Sequence, residues 1–480
     1  MVNWRHQVSL LLGVAMAICF VAIATLPVLR GASLRPFVVL FLLTGTVYAM
    51  AVFRLEQSAP SFRSVWVFAV VFRLTLLLSS PPSLSDDVYR YIWDGRLLNS
   101  AVNPYAHVVD SPALDYLDSS QRHQVNNAWM ASPYLPASQV LFATVYCVAP
   151  DNPLAFQVTA LLLDLLTGWL VMDMLRRLYL PRARVLLYLW NPLVVVEFAH
   201  GAHVDALMIC LMMLSLWALV VERQSGSGSR AWIRQLVSPV ALAAATLTKG
   251  IPALLLSVVI WPWRWRRALI YVALIVAVLL PVGLDAGFGL FGERDGEGLF
   301  GALRIYGARW NYNSGLYHWL EVVVSGYRTP GAVPPEVVGE APIRAAKAIA
   351  AMLLTVVLAV TAWWARRCHD ALGLVRSAMV PLGAYLVLTT TVHPWYVAIV
   401  VPLLAFLLRR EGEAPERDRL IWPWIYLSVV VSLSYLTYLD PANLREYDWV
   451  RMVEYLPFYA LLIWSAWSTR KSTSSVSSAP

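Results

Sequence analysis

Residues 84–96 read LSDDVYRYIWDGR, with Asp86 and Asp87 side by side after Ser85. A carboxylate can take the proton from a hydroxyl as that hydroxyl attacks an electrophilic carbon, so the pair is a candidate general base. The stretch reads as a helix. Ser85 would be its N-cap and both aspartates would lie in the first turn, where the helix dipole favours negative charge. Asp86, Arg90 and Asp94 then recur along one face as candidate ion pairs. Tyr89, Trp93 and Arg96 form a second row, and Asp87, Tyr91 and Asp94 a third. A plainer account of the same residues is helix capping by aspartate, with aromatic side chains at a membrane boundary.

Other polar groups recur in segments far apart in the chain. Asn103, Tyr105 and His107 follow in NPYAH. His200, His203 and Asp205 lie in FAHGAHVD, Lys249 in LTKG, and Arg309, Trp310, Asn311, Asn313 and His318 in RWNYNSGLYH. His393, Trp395 and Tyr396 open a late apolar run, and Arg445 lies in DPANLREYDWVR. The Asp pair with His200, His203 and Asp205 could supply metal ligands, although their spacing is not a standard zinc signature.

The elements that must position these groups are membrane spans. The 480 residues are 59% hydrophobic and only 14% charged, against about a quarter charged in a soluble protein. Mean hydropathy is +0.61. Apolar runs at 8–29, 37–53, 64–80, 154–175, 184–199, 203–221, 267–284, 343–364, 375–391, 394–408, 420–438 and 455–468 approach the length that crosses a hydrocarbon core. With the shorter pair 236–247 and 251–260, they predict an all-α polytopic membrane protein of about 12 to 14 spans. The first run is too long for a usual signal-peptide core and reads as an uncleaved span.

The net charge of +8 sits mainly in short loops, where Lys and Arg set topology, so nucleic acid is not an expected partner. The four cysteines are scattered without CxxC spacing, which predicts neither a disulfide framework nor a zinc site. Loop charges put the N- and C-termini in the cytoplasm. They put residues 81–135 and 285–342 outside as two large loops with juxtamembrane helices. The segment 136–149 becomes a short helix at the outer surface, and 470–480 a disordered inner tail. Residues 1–469 then form one polytopic domain. Arg73 and Asp164 fall at mid-depth and should face the bundle interior, because ions unpaired in lipid are costly. Asp173 should meet Arg176 or Arg177.

SDDVYRYIWDGR with NPYAH resembles the first outer loop of GT-C glycosyltransferases that use polyprenyl-phosphate sugars, in particular the bacterial mannosyltransferase-like branch (glycosyltransferase family 87 and relatives). WNPLVVVEFAHGAHVDALM, LTKGIPALLL, RWNYNSGLYHWLE and VHPWYV carry the resemblance from about residue 84 to 405. It implies a GT-C-type fold in the plasma membrane and a lipid-phosphate sugar donor reached from the outer leaflet. It also implies an inverting transfer of one hexose, mannose by default, to a hydroxyl of a glycan, lipid or protein acceptor. Asp86 or Asp87 would be the base. The departing polyprenyl phosphate needs cations, for which Lys249, Arg309, His393 and Arg445 are candidates. Arg90, Trp93, Asp94, Asn103, Tyr105, His200, His203, Asp205, Trp310, Asn311, Asn313, Trp395 and Tyr396 are candidate substrate contacts. His203 and Asp205 are similar to a Gly-His-Asn-Asp-like stretch of that branch, with Ala202 before the His and Val204 in the Asn position. No resident cofactor is expected; a divalent metal is the alternative. Oligomeric state is left open. A lipid-linked-glycan flippase or transporter would instead place its polar groups at mid-membrane with internal repeats. A glycan ligase would rely on Arg and His of one outer loop.

Overall fold

The computed structural model describes the chain except residues 1–3, 56–59, 80, 225–230, 291–295, 326–339, 369, 411, 441–444 and 478–480. The regular secondary structure of the described residues is helical, apart from a lone bridge between Tyr312 and Thr391. Eight helices among them are long and apolar enough to cross a membrane, which makes this a multi-pass membrane protein. The runs expected to supply further spans are helical but shorter or interrupted. Phe62–Leu77 has 16 residues, and the 394–408 run divides into Pro394–Val397 and Val401–Leu407. The 184–199 run divides at Trp190-Asn191, because Pro192 cannot continue a helix, and the Asn191 side chain caps the next turn by accepting from the Leu193 and Val194 amides. The final helix, Asp448–Ser477, extends through most of the tail expected to be disordered.

The chain divides into two compact units. The first comprises Met1–Ser79, Thr167–Glu197 and Asn311–Pro480. Several of its buried polar side chains donate to backbone carbonyls. The Arg73 guanidinium, fully buried, donates to the Ala69 and Leu189 carbonyls at 3.1 and 2.8 Å. The Tyr48 hydroxyl donates to Leu187 O, and the Trp190 indole to Val65 O. Asp173 pairs with both Arg176 and Arg177. Asp164 is likewise fully buried, in the other unit.

The second unit comprises Ser80–Leu166 and Phe198–Trp310. Its organising element is the helix Asp87–Asn99, which packs on the short helix Pro136–Val148. Tyr91 stacks on Phe142 with ring centroids 4.5 Å apart, and Tyr134 meets both rings edge-on. Trp93 faces a second cluster with Leu97, Val109, Leu114 and Val125. The two loops expected on one side of the membrane join within this unit. The Ala131 amide donates to Gly296 O, the Gly298 amide to Tyr105 O, and Asn103 Nδ2 to Asp285 Oδ2.

The approach of the two helices is set by Gly95. A Cβ there would lie 2.6 Å from the Phe142 carbonyl oxygen and 2.8 Å from Tyr146 Cβ, and the backbone oxygen cannot swing aside. Gly95→Ala should therefore lower stability by about 1–3 kcal/mol through overpacking. Its thermal midpoint in detergent, read by size-exclusion after heating, should fall below wild type. An unchanged midpoint would show that the helices do not approach this closely.

Candidate functional site

The helix carrying the Asp pair begins one residue later than the sequence suggests. Asp86 occupies the cap position without a side-chain cap bond, and Asp87 is the first helical residue. Ser85 still acts locally, its Oγ accepting the Asp87 amide at 3.2 Å. Both aspartates are half-buried. Asn126 Nδ2 donates to Asp87 Oδ1 at 3.3 Å, and His203 Nδ1 lies 3.6 Å from Asp87 Oδ2.

The turn that delivers His203 is irregular. Residues Val196–His200 wind as a π-helix, and Ala202 then adopts φ 57, a left-handed backbone that disfavours a residue with a Cβ. Protein groups hold the turn in place. Gln157 Nε2 donates to the Ala199 and His200 carbonyls, the Val204 amide donates to Tyr91 Oη, and Ser83 Oγ lies 3.2 Å from His200 Nε2. His200, His203 and Asp205 are fully buried. Asp205 starts the helix Asp205–Gln224, and Lys249 Nζ reaches its Oδ2 at 2.6 Å from the break before the 3₁₀ turn Ile251–Leu255. Lys249, a candidate phosphate ligand, is thus neutralised by a carboxylate in this structure. Burial pushes the Tyr91 phenol well up, and the nearby charges of Asp87 and Asp205 push it further. This one unit therefore brings Asp86, Asp87, His203, Asp205 and Lys249 together around the Asp87–Asn99 helix, with His200 on the same turn.

The Asp86–Arg90–Asp94 ion ladder is not formed. Arg90 is buried and spends its guanidinium on the Asn126, Asn127 and Met130 carbonyls. Asp94 is equally buried and its Oδ2 accepts from Ser132 Oγ and Gln139 Nε2. Loop carbonyls compete for the arginine because they have no helical partners of their own. Trp93 is buried as well, with the Arg122 guanidinium 5.3 Å over its ring. Asn103 bonds Asp285, and the Tyr105 hydroxyl donates to Tyr134 O. Arg309 is exposed at the end of Gly301–Arg309, and Trp310 stacks on Tyr306.

The remaining candidates lie in the other unit. The Tyr312–Thr391 bridge brings residues 311–313 beside 390–393. Imidazole His393 sits between two parallel-stacked rings, Tyr312 at 4.7 Å and Trp395 at 4.5 Å, with Tyr396 edge-on. Asn311 Nδ2 donates to Glu321, and Asn313, at φ 46, donates to Glu454 at 2.7 Å. Arg445 is exposed near the Tyr447 ring. Among the described residues no group of three or more His, Cys, Asp or Glu side chains is arranged to hold a metal ion. Sequence reasoning missed Asn126, Ser83 and Gln157, single polar residues whose roles depend on distant partners. Tyr91 was visible as the i+4 neighbour of Asp87.

Asp94 carries a pH signature. Burial raises its carboxyl to about 6, against the pull of Arg90, Ser132 and Gln139. Between about pH 4 and 6 the folded protein holds a proton that the unfolded chain has released, so stability falls as pH rises through that window and levels off above it. Asp94→Asn keeps an acceptor for Ser132 and Gln139 but cannot titrate. Midpoints of wild type minus variant, measured in detergent from pH 4 to 7.5, should decline across the window, by on the order of 2–3 kcal/mol in stability. A flat difference would mean that Asp94 titrates in the folded protein as it does in the unfolded chain.

A family model for the alpha-(1→6)-mannopyranosyltransferase N-terminal domain matches residues 8–265, more than half of the chain. Two curated relatives carry the name alpha-(1→6)-mannopyranosyltransferase A. The one from Mycobacterium tuberculosis is 28% identical over 243 residues, 46% of this chain and 44% of its own length. The one from Corynebacterium glutamicum is 25% identical over 195 residues, 38% of this chain and 36% of its own. The matched stretch thus spans less than half the length of either relative. Among solved structures, ArnT from Cupriavidus metallidurans bound to undecaprenyl phosphate is 14% identical with a TM-score of 0.43, over 83% of this chain and 75% of that one.

Proposed function

Because the chain belongs to the alpha-(1→6)-mannopyranosyltransferase family, we propose that it is a membrane glycosyltransferase. In this reading it moves one mannose from a polyprenyl-phosphate donor to a hydroxyl of a glycan, lipid-linked or protein acceptor on the outer face of the plasma membrane. The observation that carries the reading is the half-buried Asp pair at the start of Asp87–Asn99, with His203 against Asp87 and the Lys249–Asp205 pair in the same unit.

One aspartate takes the acceptor proton as the acceptor oxygen forms its bond to the anomeric carbon. The bond from that carbon to the phosphate oxygen breaks on the opposite face, and the polyprenyl phosphate leaves with the electron pair. With inversion, an alpha product requires a donor whose sugar is beta-linked to phosphate. His203 orients Asp87. Asp86, one residue earlier at the cap, is the other candidate base. Lys249 serves the leaving phosphate if the phosphate displaces Asp205 from it, since a charged donor binds phosphate oxygen strongly. Arg309, in the same unit, is a further candidate for that charge, and Trp310 for the sugar or prenyl surface. Because the leaving group is already anchored in lipid, the reaction needs no nucleotide-binding domain.

Membranes containing wild type, Asp86→Asn or Asp87→Asn, given radiolabelled polyprenyl-phosphate sugars with and without EDTA, test this directly. Wild type should transfer mannose. The variant lacking the base should lose about 10²–10⁴-fold in rate, with EDTA having no effect on wild type. Loss of transfer in EDTA would move the Asp pair into a metal site. No transfer from any donor would defeat the reading.

A further inference from the structure

The helical run Leu256–Ala286 is broken at Arg264, where φ is 57. A left-handed residue with a Cβ persists only where its surroundings hold it. Here anchors flank it on one side of the run. Trp263 is buried and donates its indole N–H to Ser238 Oγ at 2.9 Å, Tyr271 bonds Thr246, and Arg267 forms a two-point pair with Glu222.

The opposite side is open. Trp261 and Trp265 are 49% and 66% exposed, and Arg264 and Arg266 are exposed beside them. Among the described residues Arg264 makes no hydrogen bond or ion pair. A groove of about 650 Å³ runs between Ile260, Trp261, Arg264, Trp265, Leu269 and Val272. Beyond it Leu269, Val272, Val276 and Leu280 continue an exposed apolar stripe along one helix face. Only 11% of the apolar window of Ile251–Ala286 is buried in protein, against 72% for Asp205–Gln224.

An uncovered surface on a membrane helix is covered by lipid, and this one has a cation at its head. Arginine binds phosphate oxygens through paired N–H groups, and indoles settle at headgroup depth. We propose that this groove binds an anionic glycerophospholipid. Its phosphodiester lies on Arg264 between the two indoles, and an acyl chain lies along Leu269, Val272 and Val276. The site is separate from the Asp pair and does not depend on the transfer reaction.

The test uses the full chain purified in detergent, with phosphatidylglycerol, phosphatidylcholine or undecaprenyl phosphate added. Retained lipid is read by native mass spectrometry and stability by thermal midpoint. Phosphatidylglycerol should be retained and should raise the midpoint more than phosphatidylcholine. Arg264→Gly removes the charge while easing the backbone. It should cut phosphatidylglycerol retention about fivefold without lowering the lipid-free midpoint, and Arg264→Lys should restore most of it. Equal retention of both phospholipids, or full retention by Arg264→Gly, would overturn the proposal. So would displacement of phosphatidylglycerol by undecaprenyl phosphate, or a dimer that forms through the groove.

Discussion

The contact of Asp87–Asn99 with Pro136–Val148 at Gly95 fixes the position of the Asp pair. Glycine lets the two backbones come to a distance that any Cβ would prevent. That proximity stacks Tyr91 on Phe142 and aims the Tyr91 hydroxyl at the Val204 amide. The FAHGAHVD turn is thereby held beside the start of the helix, and His203 meets Asp87.

A second constraint is the cost of polar groups taken out of water. In the Asp-bearing unit, Arg90 and Asp94 satisfy loop backbone and loop side chains, and this organises a long segment that has few regular helices of its own. Arg122 does similar work, donating to the Val109 and Ser111 carbonyls and pairing with Asp115. In the other unit Tyr48 and Arg73 donate to the Leu187 and Leu189 carbonyls where the 184–199 run breaks, and Trp190 donates to Val65 O. Broken helices and buried polar side chains thus depend on each other: each break supplies the acceptors that make the buried donors tolerable.

The same logic separates the groups that build the site from those that could act in it. Arg90 and Asp94 are buried with their side chains engaged by protein. Asp86 and Asp87 are half-buried, and Arg309 is exposed. Lys249 stands between these classes, bound to Asp205 yet partly accessible, so its charge is available only by exchange of one anion for another.

Composition and apolar run length alone determined that this is a helical, multi-pass membrane protein, because a hydrocarbon core accepts little else. Local patterning also located the Asp-bearing helix, the short helix after Pro136, the break at Lys249-Gly250 and the pairing of Asp173, since all of these are set by neighbours a few residues away. The i, i+4 spacing of Asp86, Arg90 and Asp94 suggested ion pairs that do not form, because spacing says nothing of the loop carbonyls that Arg90 meets instead. Nor could it show that His203 meets Asp87, that Asp205 holds Lys249, or that Tyr312 stacks on His393. Those pairings join residues far apart in sequence, and only the packing of helices and the need to satisfy each buried polar group decided them.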